Sequence, residues 1–496
     1  MEKKLSRKNI VVLGVILVLF GTIVTSIFAQ PVSAAAPPTV PMMTKSLAPR
    51  SLFKAGEWFE QSTAFSDRNR GLNYISCVND SIVWASAFNG DNPAYPCQDY
   101  TRTSDGGITW TPNTIPDAEN LYFSMIFALD ATTAWAPLYA HQNGVMGLYY
   151  TSDGGNTWVQ QESAGFNLIG SFPNCVHFWD EHIGWCMGDP AGGSYEIYTT
   201  TDGGTTWVRV PQENIPDPLQ EEYGLAGSYC VTGDTIWFGT NMGRLYKSID
   251  KGLHWTVTQT PLRSYLKPTF KDEDHGLVFD INTAGSVTIA ETSDGGITWQ
   301  TIDFSGPCYN YDLRYIPGTV NMYISTGTTT NASGASYSLD GGHTWVEYAD
   351  VVGTPMLSLG FTSGKIGWAG SYNTDEFTGG IFKYVPGDPA PAFSIDVAGG
   401  KGISVRVMNV GDATASNVTC DITIAGGLFI KPKEFTGDQA TLDVGANFTV
   451  VGAPKGIGLG LLKPMPTITI NVNCTGGIGA TKIILAKVFF SKITLQ

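Results

Sequence analysis

At 496 residues and a net charge of −15 (Lys+Arg 29, Asp+Glu 44), the chain is too long for one ordinary domain unless that domain repeats. Its acidity argues against nucleic acid or anionic lipid as a partner. Abundant glycine (58), 15% charged residues and 12% aromatics suit short strands joined by tight turns, not a helical protein.

The first element is a targeting segment. Lys3, Lys4, Arg7 and Lys8 precede an uncharged apolar run at residues 10–29 and the small-residue stretch QPVSAAAPP. Such an order exports the remainder of the chain, with residues 1–34 either a cleaved signal peptide or a retained N-terminal membrane anchor. Both outcomes place the body outside the cell or on its surface, and the membrane is met only through this segment.

A strand is predicted at residues 56–62 (GEWFEQS), and from there the chain repeats. Each unit reads as a strand, a turn, a second strand, a loop, a third strand, an Asp-Gly turn and a fourth strand. Trp84, Trp135, Trp185, Trp237 and Trp368 mark the second strand, while HGLVFDI around Leu277 and VNMYIS around Met322 replace it in two units. The Asp-Gly turn is the phrase Thr/Ser-x-Asp-x-Gly-x-x-Trp. It occurs six times, with Asp105 and Trp110, Asp153 and Trp158, Asp202 and Trp207, Asp250 and Trp255, Asp294 and Trp299, and Asp340 and Trp345. The aspartates step by 48, 49, 48, 44 and 46 residues, the length of one four-stranded propeller blade. A last unit stops at Pro386 without such a turn. GEWFEQS resembles the strand after each turn, such as NTWVQQE at residues 156–162, so Trp58 is expected to supply its missing fourth strand. Residues 55–386 are thereby expected to form a seven-bladed β-propeller, closed by its own N-terminal strand.

The chemistry of the repeated phrase is structural. The Asp is expected to accept backbone N–H groups two or three residues on, the Ser or Thr two before it to bond back to the turn, and the second Gly to supply a positive φ. The fourth copy departs, with Lys251 for the first Gly and His254 for the usual Thr; His254 reads as an exposed turn residue.

After the linker PGDPAPA (residues 386–392), tryptophan and the phrase vanish and alternating strands appear: SIDVAG, ISVRVMNV, VTCDITIA, ATLDV, TITINVNC and IILAKVFF. Residues 393–496 are expected to form an Ig-like β-sandwich. The stretch RVMNVGDATASNVTCDI resembles the asparagine-glycine turn of secreted Ig-like and cell-adhesion-type bacterial modules. Eight cysteines fit an oxidising compartment. Cys77 and Cys97 flank one hairpin, Cys175 and Cys186 another, and Cys420 and Cys474 stand alone in the C-terminal region, so these are the disulfide candidates. Cys230 and Cys308 are left over, and connectivity stays open. No C-x-x-C and no zinc-like His spacing occurs, so neither metal nor cofactor is expected.

The six phrases resemble the Asp-box (BNR) repeats of sialidase-like propellers. Length and phrasing are most similar to the photosystem II stability and assembly factor group and its secreted relatives. In such families the boxes lie away from the ligand face, which implies binding at the opposite loops. Asp91, Tyr95, His141, Asp189, Glu221, Glu222, Tyr223, Arg244, Tyr372 and Asp375 are the candidates there. The expected function is a monomeric, extracellular, non-catalytic scaffold for a protein or polysaccharide ligand, of use in complex assembly. The alternative is a glycan hydrolase. A resemblance to sialidases would imply an arginine triad and an early Arg-Ile-Pro phrase, and the nearest stretch here is RYIP at residues 314–317.

Overall fold

The computed structural model describes residues 55–140, 146–280, 287–329, 332–363, 365–458 and 465–495. The expected export segment lies outside them. Among the described residues helix is confined to two short 3-10 turns, Glu162–Ala164 and Gln212–Asn214, and no helix is long and apolar enough to cross a membrane. The described residues divide into two compact units, the first holding residues 57–318 and 323–385 and the second residues 386–496 together with the short stretches 55–56 and 319–322.

The first unit is a succession of antiparallel sheets of four strands in simple up-and-down order, with the first and last joined edge to edge and the first strand of the second split into Leu121–Phe123 and Phe127–Ala128. Arg70–Cys77, Val83–Asn89, Asp99–Thr103 and Thr111–Thr114 form the first. Pro173–Phe178, Gly184–Ala191, Ser194–Thr200 and Val208–Arg209 show the same order later in the chain. Central strands such as Val83–Asn89 and Gly184–Ala191 bury neighbouring apolar residues, Val83 and Trp84 or Trp185 and Cys186 among them, and so carry apolar groups toward the sheets beside them. Trp84, Trp135, Trp185, Trp237 and Trp368 are all fully buried between them.

The last three strands, Leu359–Phe361, Gly367–Asn373 and Gly379–Val385, take their fourth from the start of the unit. Glu57–Ser62 pairs along its whole length with Gly379–Val385, from Glu57↔Val385 to Ser62↔Gly380. Trp58 is buried against Tyr384 and Tyr348. Gln61 Oε1 accepts from Trp110 Nε1 of the first sheet and Trp368 Nε1 of the last, both at 3.2 Å. A single pair, Gly71↔Tyr372, joins the two sheets directly.

The Asp-Gly turns are built alike in all six copies. In the first, Thr103 Oγ1 donates to Asp105 Oδ1 (2.7 Å) and accepts the Gly107 N–H (2.9 Å). Asp105 then accepts the N–H and hydroxyl of Thr109 at 2.9 and 2.6 Å. The aspartate therefore reaches four residues on, further than the sequence suggested. The second glycines have φ between 85° and 96°, and a Cβ at Gly155 would overlap Tyr100 Oη. His254 is more than an exposed turn residue: its Nδ1 meets Asp250 Oδ2 at 2.7 Å, taking over the threonine hydroxyl's role. Hydrogen bonding from Thr109, Thr157 and Thr298 lowers the pKa values of Asp105, Asp153 and Asp294 to about 2.

The turn between first and second strands lies at the same edge. Gly106 N–H reaches Ser81 O, Gly154 reaches Thr132 O, Gly203 reaches His182 O and Gly295 reaches Asp274 O, each at 2.8–2.9 Å. Those turns have their own repeated device. Asn79, Asp130, Asp180 and Asp272 each accept backbone N–H groups two and three residues on through one side-chain oxygen.

In the second unit, SIDVAG and ISVRVMNV merge into one strand, Phe393–Asn409. Glu434–Leu442, Ala415–Ala425, Thr467–Asn473 and the first half of Gly479–Phe490 pair in that order to make one sheet. The second half of that strand pairs with Lys455–Gly458 and Lys492–Leu495, entering the sheet that contains Phe393–Asn409 and Asn447–Gly452. Isoleucines and valines such as Val405, Ile422, Ile470 and Val488 fill the space between. Asn409, from the asparagine-glycine stretch, is buried and fully used. Its Oδ1 accepts from Gly411 and Ala392, and its Nδ2 donates to Ala413 O and Leu442 O.

The expected disulfides are not formed; all eight cysteines are free thiols. Cys175 and Cys186 sit on adjacent strands, but Cys186 is paired with Val176, so the two thiols point to opposite faces of their sheet. Cys77 and Cys97 lie at opposite ends of the strand Val83–Asn89, a separation of about 20 Å at 3.3 Å per residue. Cys420 is opposite Val472, which leaves Cys474 two residues out of register, at a diagonal spacing of about 7–8 Å. That exceeds the Cα separation of about 4.4–6.8 Å that a disulfide spans.

Candidate ligand-binding mouth

Because box turns and first turns share one edge of the sheets, the remaining loops and the starts of the innermost strands gather at the other. There the structure has a cavity of about 250 Å³. Eight aromatic residues line it: Phe88, Tyr122, Phe123, Tyr139, Phe172, Tyr223, Tyr265 and Tyr311. Tyr122 stacks on Tyr139 (5.1 Å between centroids), Tyr139 meets Phe172 at 4.3 Å, and the hydroxyls of Tyr223 and Tyr265 are 3.1 Å apart.

One lysine and one aspartate are the charged lining residues. Asp189 is almost fully enclosed, and its Oδ1 accepts Asn174 Nδ2 (2.9 Å) and the Gly224 N–H (3.0 Å). Lys267 comes from the strand Leu266–Phe270; its Nζ is 3.4 Å from Asp312 Oδ1 and 5.8 Å from the Tyr311 ring centre. Beneath it Asp312 is shared. Oδ2 takes the Leu359 N–H at 2.9 Å, and Oδ1 lies 3.5 Å from Arg314 Nε. Burial opposes ionisation of Asp312, but Arg314 and Lys267 outweigh it and hold its pKa below the ordinary value. Burial likewise pulls Lys267 down. His177, on the strand Pro173–Phe178, is half-buried against Phe127, Trp179 and Tyr229, and loss of solvent there lowers its pKa from 6.5 to about 3.

Of the residues expected here from sequence, Asp189 and Tyr223 line the cavity. Tyr372 packs edge-on against the lining residue Phe88. Glu222 is enclosed and bound to Arg244 Nη1 at 2.6 Å, so that pair braces the loop ahead of Gly224–Thr232. Asp91, Tyr95, Glu221 and Asp375 are exposed loop residues outside the lining. Asp91 accepts from Asn69 Nδ2 and Asp375 from the Phe377 N–H. His141 lies outside the described residues.

Tyr122, Phe172, Tyr265, Lys267 and Tyr311 were not among the sequence candidates. A signal existed. Tyr122, Phe172, Tyr223, Tyr265 and Tyr311 stand at or just before the innermost strands, in steps of 50, 51, 42 and 46 residues. This is a third repeated register, behind the boxes and the tryptophans.

No protein-family profile and no curated protein matches the chain. Among solved structures it is similar to YCF48 bound to D1 peptide, with 17% identity, TM-score 0.48 and coverage of 69% of this chain and 100% of that one. It is also similar to a GH74 enzyme of Niastella koreensis (15% identity, TM-score 0.43, 84% of this chain, 74% of that one). The GH74 xyloglucanase of Xanthomonas campestris gives 11% identity and TM-score 0.44, over 88% and 75% of the two chains.

Proposed function

We propose that the protein is an exported, non-catalytic binding scaffold whose first unit is a seven-bladed Asp-box β-propeller and whose second is an Ig-like sandwich. The propeller receives its ligand at the aromatic mouth opposite the boxes. The observation that carries this reading is the composition of the lining: eight aromatic residues surround one carboxylate, and that carboxylate already accepts two N–H groups. Glycoside hydrolysis by the usual route asks for two carboxyl groups flanking a bond. An aromatic cavity of about 250 Å³ is small beside those that enclose whole ligands, and it suits one protruding group of a larger protein or polysaccharide. Export through residues 1–34 belongs to the same proposal.

The test pairs binding with turnover. Peptide and glycan arrays should give ligands whose binding is weakened by Tyr265→Ala or Tyr311→Ala. A release assay on β-glucans and sialosides should show no turnover. Sugar release abolished by Asp189→Asn would overturn the scaffold reading in favour of a hydrolase.

A further inference from the structure

The net charge of −15 conceals a division between the two units. Residues 386–496 carry nine Lys or Arg against seven Asp or Glu, a net +2, which leaves −17 for the rest of the chain. Five of those lysines meet on one sheet face. Ile457 is paired with Phe489, Phe489 with Lys492, and Lys492 with Lys401, and in-register partners share a face. Lys455 and Lys487 stand two residues from Ile457 and Phe489 and so project the same way. Lys431 is opposite Lys455. The intervening residues Val488 and Ile493 turn inward and are buried, which fixes the lysine face as the outer one.

Two features make this face costly to the isolated protein. Lys431 faces Lys455 and Lys401 faces Lys492 directly, an arrangement that destabilises adjacent strands. No ion pair among the described residues involves any of the five. Large apolar groups also stand in the solvent: Phe489, on the lysine face, is 51% exposed, Phe429, on the strand of Lys431, is 89% exposed, and Phe490, in the hairpin turn between Phe489 and Lys492, is 65% exposed. Phe429 and Phe490 hold φ of 55° and 53°, a region bulky side chains avoid. Strain of this kind persists at sites kept for a purpose other than stability.

We propose that this face docks on an anionic lipid bilayer, the phenylalanines entering the acyl boundary and the lysines meeting headgroup phosphates. Apolar side chains rimmed by lysine fit an interface that is apolar below and negative above. The inference rests on the second unit alone and stands independently of the mouth.

The test uses the full chain with phosphatidylcholine vesicles, with and without phosphatidylglycerol. Amide hydrogen exchange is read at residues 428–431 and 487–492, so that membrane insertion of the N-terminal segment does not contribute. Protection at those residues is expected with the anionic vesicles only. Phe490→Gly should weaken vesicle affinity while keeping or raising the melting temperature, because glycine relieves the positive φ. Lys431→Gln and Lys455→Gln should each weaken it by about fivefold. Protection indifferent to lipid charge, or unchanged in these variants, would overturn the proposal. So would protection that grows with protein concentration in the absence of vesicles, since a second copy would then be the occupant.

Discussion

The two ends of the same sheets are built on opposite plans. At the edge of the Asp-Gly turns, all six copies repeat the bond from a Ser or Thr hydroxyl to the aspartate, and the first turns repeat their own Asn or Asp device. Every bond of these two devices is local, within four residues of its partner. At the mouth end the contacts are longer in range and occur once each: Lys267 and Leu359 on Asp312, 45 and 47 residues apart, and Arg244 on Glu222, 22 apart. Repetition spreads stability over interchangeable copies. Uniqueness concentrates it, and frees neighbouring positions to carry function.

That contrast predicts a ranking. Asp312→Ala should have the largest effect, about 3–5 kcal/mol in a denaturant melt, because it removes a buried carboxylate that holds two part-buried cations and the Leu359 N–H. Trp58→Ala, on the closing strand, should cost about 3 kcal/mol by the same measurement. Phe59→Ala on the same strand, half exposed, should stay within about 0.5 kcal/mol. Acid gives a third comparison. The folded state keeps His177 neutral down to about pH 3, whereas the unfolded chain takes up that proton near 6.5. Stability should therefore fall as pH drops from 6.5 toward 3, by on the order of a few kcal/mol, and His177→Phe should flatten that slope. The box aspartates act lower. With folded values of about 2 against 3.8, the stability from Asp105, Asp153 and Asp294 is complete above pH 4 and lost between about pH 4 and pH 2. Smallest of all, Thr109→Val should cost about 1 kcal/mol. A single box change that rivalled Asp312→Ala would break the contrast.

Legibility in the sequence divides along the same line. Box turns are readable because a local turn dictates its residues: a hydroxyl, a carboxylate and a glycine at φ near 90° leave little choice of side chain. The closing strand was readable because Trp58 and Gln61 repeat the pattern of the strand after each box. The mouth was not, because Lys267 and Tyr311 acquire their meaning only when sheets far apart in sequence bring them to one cavity. Disulfides were misread for a related reason. Spacing along a hairpin says that two cysteines are near in the chain, whereas the pairing of Cys186 with Val176 decides which way each thiol points.

The pairing of Glu57–Ser62 with Gly379–Val385 also sets a timetable and a direction of failure. The strand Glu57–Ser62 lacks its partner until residue 385 has been made, so a nascent chain carries an unpaired edge through almost the whole synthesis of the unit. The register Glu57↔Val385 places entry and exit of the unit side by side. Tension on those two ends would peel the strands apart one bond at a time rather than load all six residue pairs together. The pairing that joins the two ends of the unit is also the place where pulling would open it first.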